Sequence, residues 1–295
     1  MRDMEMLFLI IFVIIDDSLK SIELPKKRGP KPKMADSEII TLFIVQYLMG
    51  FESDRGWLRH VTRHYRYLFP KKIDRREYGR RRKELSILTP SLVTWTLREA
   101  GDIDEEGVVD SKPVKVCHNI RAKNNPHWNG EAVWGYCASK EEYHWGYKLH
   151  LIVTSSGLMK IWELLPANHH DITALKMIAH KLPKLRLFGD KGYNIRKEDR
   201  EQLLKQEIEI VAQPKRNMKQ QLPIADQIRL KEIRPLVEQA FSIVDRVMGL
   251  ERTLAIRPKT LRSRIGFKML AFNIGALVNI MIGNTKIRGI AELAA

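Results

Sequence analysis

Gly107-Val108-Val109-Asp110-Ser111 is the stretch on which the fold of this chain turns. Two β-branched residues between a glycine and an Asp-Ser pair predict a buried strand whose last residue emerges at a sheet edge. An aspartate there most often caps a turn, because its side chain satisfies nearby backbone N–H groups. A second run has the same form: Lys184-Leu185-Arg186-Leu187-Phe188-Gly189-Asp190-Lys191-Gly192-Tyr193. It predicts another strand ending in aspartate, framed by glycines that let the backbone turn sharply and pass close to a neighbour. A third acid, Glu238, lies in a long helical segment. Three carboxylates brought together stay ionised only if a cation neutralises them, so the pattern predicts a divalent-metal site.

The 295 residues suffice for one large domain or for a medium and a smaller one. The net charge of +16 and a pI near 9.8 point to a polyanionic partner. Between Lys20 and Lys83 stand eighteen Lys/Arg against seven Asp/Glu, so eleven of the sixteen net charges fall in this part. Cys117 and Cys137 form no CxxC pair, which argues against a disulfide framework or zinc ribbon and fits a reducing cytoplasm. The apolar run Met6 to Ile15 is about half the ~20 residues a membrane span needs. Acidic Asp3, Glu5, Asp16 and Asp17 flank it, unlike a signal peptide, so a buried helix and no membrane partner are expected.

Residues 1 to 104 predict a mainly α-helical basic domain. Pro25 to Lys33 is an extended basic segment carrying Arg28, Lys31 and Lys33, either a strap along DNA phosphates or a solvated linker. Asp36 or Ser37 serves as N-cap for a helix to about Met49. From Arg55 to Lys83 the pattern is helical, with Arg59, Arg63 and Arg66 spaced to share a face and contact DNA, and a helix-turn-helix is one arrangement of this region. A further helix runs from Thr89 to about Ala100, before an acidic linker.

Residues 105 to 295 predict an α/β domain with C-terminal helices. Lys115 to Lys140 reads as a loop. Tyr147 to Thr154 alternates, with Lys148 and His150 on one face, and Met159 to Leu165 returns as its hairpin partner. Asp171 begins a helix as its cap, and zinc at His169-His170-Asp171 is disfavoured because adjacent residues seldom ligate one ion. The Leu185 strand leads to Asp190. A helix from Lys197, a strand Ile208 to Ala212, and helices over 224–249 and 258–282 follow. Trp134, Tyr143 and Trp145 are read as covering the sheet.

This order resembles a ribonuclease H-like mixed-sheet core flanked by helices, and more specifically an insertion-sequence transposase of the Asp-Asp-Glu type. The resemblance rests on Val108-Val109-Asp110-Ser111-Lys112-Pro113, Trp145-Gly146-Tyr147-Lys148-Leu149-His150, Pro166-Ala167-Asn168-His169-His170-Asp171, Gly189-Asp190-Lys191-Gly192-Tyr193 and Arg234-Pro235-Leu236-Val237-Glu238-Gln239-Ala240-Phe241. It implies that Asp110, Asp190 and Glu238 form a catalytic triad holding Mg²⁺ or Mn²⁺, about two ions in number. It also implies cleavage at terminal inverted repeats and joining to target DNA, a dimer or larger assembly on DNA, and a bacterial-type, nucleoid-associated location. Arg234, four residues before Glu238, is expected to help place the glutamate and a phosphate, and Lys148 and His150 are candidate phosphate contacts. Where some relatives carry a tyrosine and a lysine around this helix, the chain has Lys231 and Asp245. Only 48 positions separate Asp190 from Glu238, too few for a large inserted domain. A stand-alone nuclease and a non-catalytic DNA-binding protein are the alternative functions.

Overall fold

Helical periodicity dominates both ends of the chain and strand alternation its middle, and the computed structural model follows that division. It describes residues 4–22, 32–103, 105–122, 125–128, 130–137, 141–214, 221–252 and 254–293. The chain forms two compact units, one of Met1–Gly101 with Ile243–Ala295 and one of Asp102–Ser242.

The first unit holds α1 (Met4–Lys20), α2 (Asp36–Leu48), α3 (Asp54–His64), α4 (Arg75–Leu85), α5 (Thr89–Glu99) and, far along the chain, α9 (Pro258–Met281). The expectation that residues 243–295 belong with the catalytic domain is therefore corrected: they join the amino-terminal helices. The physical reason is that α9 is apolar around most of its circumference, with nearly every residue from Leu261 to Asn279 buried, and such a helix needs neighbours on all sides. α2, itself buried along most of its length, and α5 supply them. Phe267 meets Phe43 at 4.7 Å between ring centroids, and each such fully buried ring contributes roughly 1.5–3 kcal/mol. The polar residues of α9 are matched as well: Asn273 donates to the Thr96 hydroxyl at 3.2 Å and Lys268 to the Gly249 carbonyl at 2.7 Å.

The start of α2 differs from expectation. Ala35 occupies the N-cap position and the Glu38 carboxylate accepts its N–H at 2.5 Å, because Asp36 is engaged by the buried Arg81 guanidinium. Part of the basic charge is likewise internal. Arg82 makes a two-pronged contact with Asp54 at 2.7 and 2.9 Å, and Arg264 reaches the same carboxylate at 2.8 Å.

The second unit contains β1 (Glu106–Lys115), β2 (Val133–Cys137), β3 (Glu142–Thr154), β4 (Met159–Pro166), α6 (Asp171–Ala179), β5 (Leu185–Gly189), α7 (Lys197–Leu204), β6 (Ile208–Ala212) and most of α8 (Ile224–Arg246). The strands form one mixed sheet in the order β2-β3-β1-β5-β6, with β4 also on β3. β3 is antiparallel to β1, β2 and β4, whereas β5 is parallel to β1 and β6 to β5. This is the mixed sheet with flanking helices that the ribonuclease H-like resemblance implies. β2 lies inside the segment expected to be a loop. Trp134 and Tyr136 alternate with smaller residues and pair with Trp145 and Tyr143 across the hairpin. α8 runs through Pro235 without interruption. Arg229 of α8 pairs with Glu106 at 2.8 Å, and Arg186 of β5 with Asp226 at 2.8 Å, which fixes the helix on this unit.

Candidate active site

Parallel pairing of β1 with β5 sets Val109 opposite Gly189, so the next residue of each strand, Asp110 and Asp190, emerges at the same place. The expectation that the first strand ends at Asp110 is corrected: β1 continues to Lys115 because β3 goes on pairing with it, while β5 stops at Gly189 and leaves the β5 side of Asp110 uncovered by a strand. Each carboxylate is steadied by its own turn. Asp110 Oδ1 accepts the Ser111 N–H at 2.7 Å, and Asp190 Oδ1 accepts the Gly192 N–H at 2.8 Å. Gly189 is required by packing, since a Cβ there would stand 2.9 Å from the Tyr193 side chain.

The electrostatics of this pair are unfavourable as they stand. Burial pushes the Asp110 carboxyl up to about 6, with Asp190 and Asp171 adding repulsion, while the Ser111 bond and the more distant Arg234 charge pull it down. Among the described residues neither Asp110 nor Asp190 has a cationic side chain in ion-pair contact. Oxygen-only donors with uncompensated charge suit a hard divalent cation.

Glu238 is placed differently. It accepts from Arg234 Nε at 3.1 Å on the exposed side of α8, one helical turn away. Among the described residues no group of three or more His, Cys, Asp or Glu side chains has the spacing to hold a metal ion. The structure thus brings Asp110 and Asp190 together and leaves Glu238 on Arg234, whose charge reaches Asp110.

Asp171 is the residue that sequence reasoning missed. His170 takes the N-cap position of α6, and the Asp171 carboxylate turns to the sheet instead of capping. Its Oδ1 accepts from the Ser111 hydroxyl at 3.0 Å and from Lys148 Nζ at 3.2 Å. The signal that could have found it is the register of the β1–β3 pair, which sets Ser111 opposite His150 and Pro113 opposite Lys148. Directly opposed residues share a face, so Lys148 and His150 lie on the Ser111 face and Asp110 on the other. The expectation that His150 contacts phosphate is corrected: its ring is fully buried, and burial lowers its pKa to about 4. Lys148 is mostly buried and occupied by Asp171 and the His169 carbonyl.

A family model described as the transposase DDE domain matches residues 100–256, more than half of the chain. The chain belongs to this DDE transposase family. The matched segment holds every strand, Asp110, Asp190 and α8, and it stops before α9. A solved structure, the Mos1 transposase paired-end complex with left transposon end, is 11% identical over 92% of this chain and 86% of that chain, with a TM-score of 0.23. No curated protein matches the sequence.

Outside the DDE domain, Arg59 and Arg63 are exposed on α3, and Lys33 is exposed before α2. Arg66 lies in the turn beyond His64 and not on the helix, so the three arginines do not share one helical face. Arg28 and Lys31 fall outside the described residues. Trp145 is buried as expected, whereas Trp134 and Tyr143 are exposed.

Proposed function

We propose that this DDE transposase cleaves DNA at the terminal inverted repeats of a mobile element and joins the freed ends to target DNA. The observation that carries the reading is the pair of carboxylates that follow the Val109–Gly189 pairing, Asp110 and Asp190, with the Asp110 carboxyl raised to about 6. Such a pair is stabilised by a divalent cation, and its hard oxygen donors fit Mg²⁺ or Mn²⁺. Asp110 and Asp190 would hold the metal, and Glu238 would join them on leaving Arg234. When bound, one or two such ions activate a water or 3′-hydroxyl and stabilise the departing oxygen of a phosphodiester. Arg234, released from Glu238, presents a guanidinium fork suited to a phosphate. Exposed Lys33, Arg59, Arg63 and Arg66, and the net charge of +16, support binding to duplex DNA. Pairing two element ends calls for at least a dimer on DNA.

The test is incubation of the full chain with DNA carrying its flanking genomic ends, in Mg²⁺, Mn²⁺ or EDTA, beside Asp190→Asn. Metal-dependent nicking at the repeat boundary, lost in Asp190→Asn, is the expected result. A joined product separates a transposase from a stand-alone nuclease. Tight, salt-sensitive binding without cleavage in any metal would overturn the catalytic reading and favour a DNA-binding protein.

A further inference from the structure

Four segments converge on the Asp171 carboxylate: the end of the Val108-Val109 run at Ser111, Lys148 and His150 of β3, the first turn of α6, and the Gly192 turn after β5. The two N–H groups that hold the Asp110 and Asp190 carboxylates belong to Ser111 and Gly192, and Asp171 bonds the first residue and stands beside the second. One oxygen, Oδ1, accepts the Ser111 hydroxyl at 3.0 Å. The other, Oδ2, lies 2.9 Å from where a Cβ on Gly192 would stand, and such a Cβ would also be 3.0 Å from Asp190 Oδ1. Only glycine lets the two acids flank this turn so closely.

The remaining neighbours hold Asp171 in place. Lys148 Nζ, 3.2 Å away, balances its charge. His150 Nδ1 lies 3.9 Å from the same oxygen, in a fully buried ring neither of whose nitrogens has a hydrogen-bond partner. The Tyr193 hydroxyl is buried on the same side, next to the Ser111 side chain, and faces the charges of Asp171, Asp110 and Asp190. Helix capping does not account for this arrangement, because His170 holds the cap position.

We propose that Asp171 is a positioning residue of the catalytic site: it clasps the Ser111 and Gly192 turns and so sets the Asp110 and Asp190 carboxylates at a fixed separation. The assignment of a role in metal binding rests on the proposed function above, while the clasp itself rests on the contacts of Asp171 with Ser111 and its closeness to Gly192. Removing a partner of this kind, one step behind the ligands, typically weakens metal binding about 10- to 100-fold.

The experiment is amide hydrogen exchange at single-residue resolution on the full chain without metal or DNA, comparing wild type, Asp171→Ala, Asp171→Asn and Ser111→Ala. Asp171→Ala is expected to speed exchange at the amides of Ser111 and Gly192 about fivefold, the factor that corresponds to one net hydrogen bond, with Val108 and Val109 unchanged. Asp171→Asn keeps an oxygen that accepts from the Ser111 hydroxyl, so it restores protection at Ser111. Should Asp171→Ala fail to fold, Ser111→Ala removes the same bond and is expected to loosen Gly192 likewise. Unchanged exchange at both amides, or loosening spread evenly along β1, overturns the clasp. A second measurement, Mn²⁺ affinity by electron paramagnetic resonance, adds the metal. An affinity lost in Asp190→Asn and reduced about tenfold in Asp171→Ala supports the positioning role, and one lost in Asp190→Asn but intact in Asp171→Ala overturns it. If Asp190→Asn leaves Mn²⁺ binding intact, the metal reading fails and the exchange result alone decides the clasp.

Discussion

Asp54 in the helical unit and Asp110 in the sheet unit are the same residue in opposite circumstances. Both are partly buried. Around Asp54 the protein supplies everything a carboxylate needs: Arg82 in two-pronged contact, Arg264 at 2.8 Å and the Gln46 amide at 3.1 Å. Tyr78 in turn donates to Gln46 at 2.9 Å, and the Arg82 guanidinium lies 5.0 Å from the Phe43 and Tyr78 ring centres. Burial acts to raise the Asp54 carboxyl, and these cations more than reverse it, so it lies below the ordinary carboxylate range. Around Asp110 burial and the neighbouring acids win, and the carboxyl rises to about 6. A carboxylate whose charge is answered internally serves the fold, whereas one left unanswered beside a second acid keeps a perturbed pKa, the condition on which the proposed metal site rests.

The largest effect is expected where the contrast is broken at Asp54. Asp54→Ala strands two buried guanidinium groups and should destabilise the helical unit by about 3–5 kcal/mol, read by denaturant unfolding followed by tryptophan fluorescence. Because its folded-state pKa is depressed, the stability Asp54 contributes is present above the ordinary value of 3.8 and lost as pH falls from there through the lower folded-state pKa. An unfolding midpoint indifferent to the substitution would remove the contrast.

A smaller effect belongs to Asp110. Its folded pKa of about 6 exceeds the ordinary 3.8, so the unfolded chain gives up the proton first and stability falls as pH rises through that window, remaining low above it. The full difference is about 2–3 kcal/mol at ~1.4 kcal/mol per unit. Asp110→Asn should abolish this pH dependence. Carboxyl-carbon NMR of the wild type should show a titration near pH 6 that moves to lower pH when Mg²⁺ is added, and a titration that Mg²⁺ leaves in place would count against the metal site.

The smallest effect concerns Arg234. Its pair with Glu238 is roughly half exposed on both sides, and Arg234→Ala should change stability by only about 0.3–0.5 kcal/mol. The same substitution removes a charge that pulls the Asp110 carboxyl down, so its titration should move further upward. An unmoved Asp110 titration would separate Arg234 from the site and sharpen the contrast between a structural ion pair and a catalytic one.

Strand cores, turns and most helices were legible in the sequence because their determinants are local, whereas the end of β1 was not, since pairing with β3 carries it five residues past Asp110 to Lys115. β-branched residues before Asp110, the glycines around Asp190, and the periodicity of 36–48, 89–99 and 197–204 each mark an element without reference to distant residues. The same holds for the Arg234 and Glu238 spacing, since four residues along a helix always return to one face. β2 was hidden because its turn residues outweighed a five-residue alternation.

What the sequence by itself determined is therefore the kind of elements, their order, and the two aspartates that follow the apolar runs at Val108-Val109 and Leu187-Phe188-Gly189. Only the tertiary structure decided which partners those elements meet. α9 joined the helical unit because a helix buried on nearly every side settles where apolar faces surround it. Arg264 reached Asp54, and Glu238 stayed on Arg234 apart from the other two acids. Asp171, which local rules assign to helix capping, turned to Ser111 and Gly192 because strand register brought Lys148 and His150 to the same face. Burial and charge compensation depend on groups remote in the chain, and it is these that separate the answered carboxylate of Asp54 from the unanswered one of Asp110.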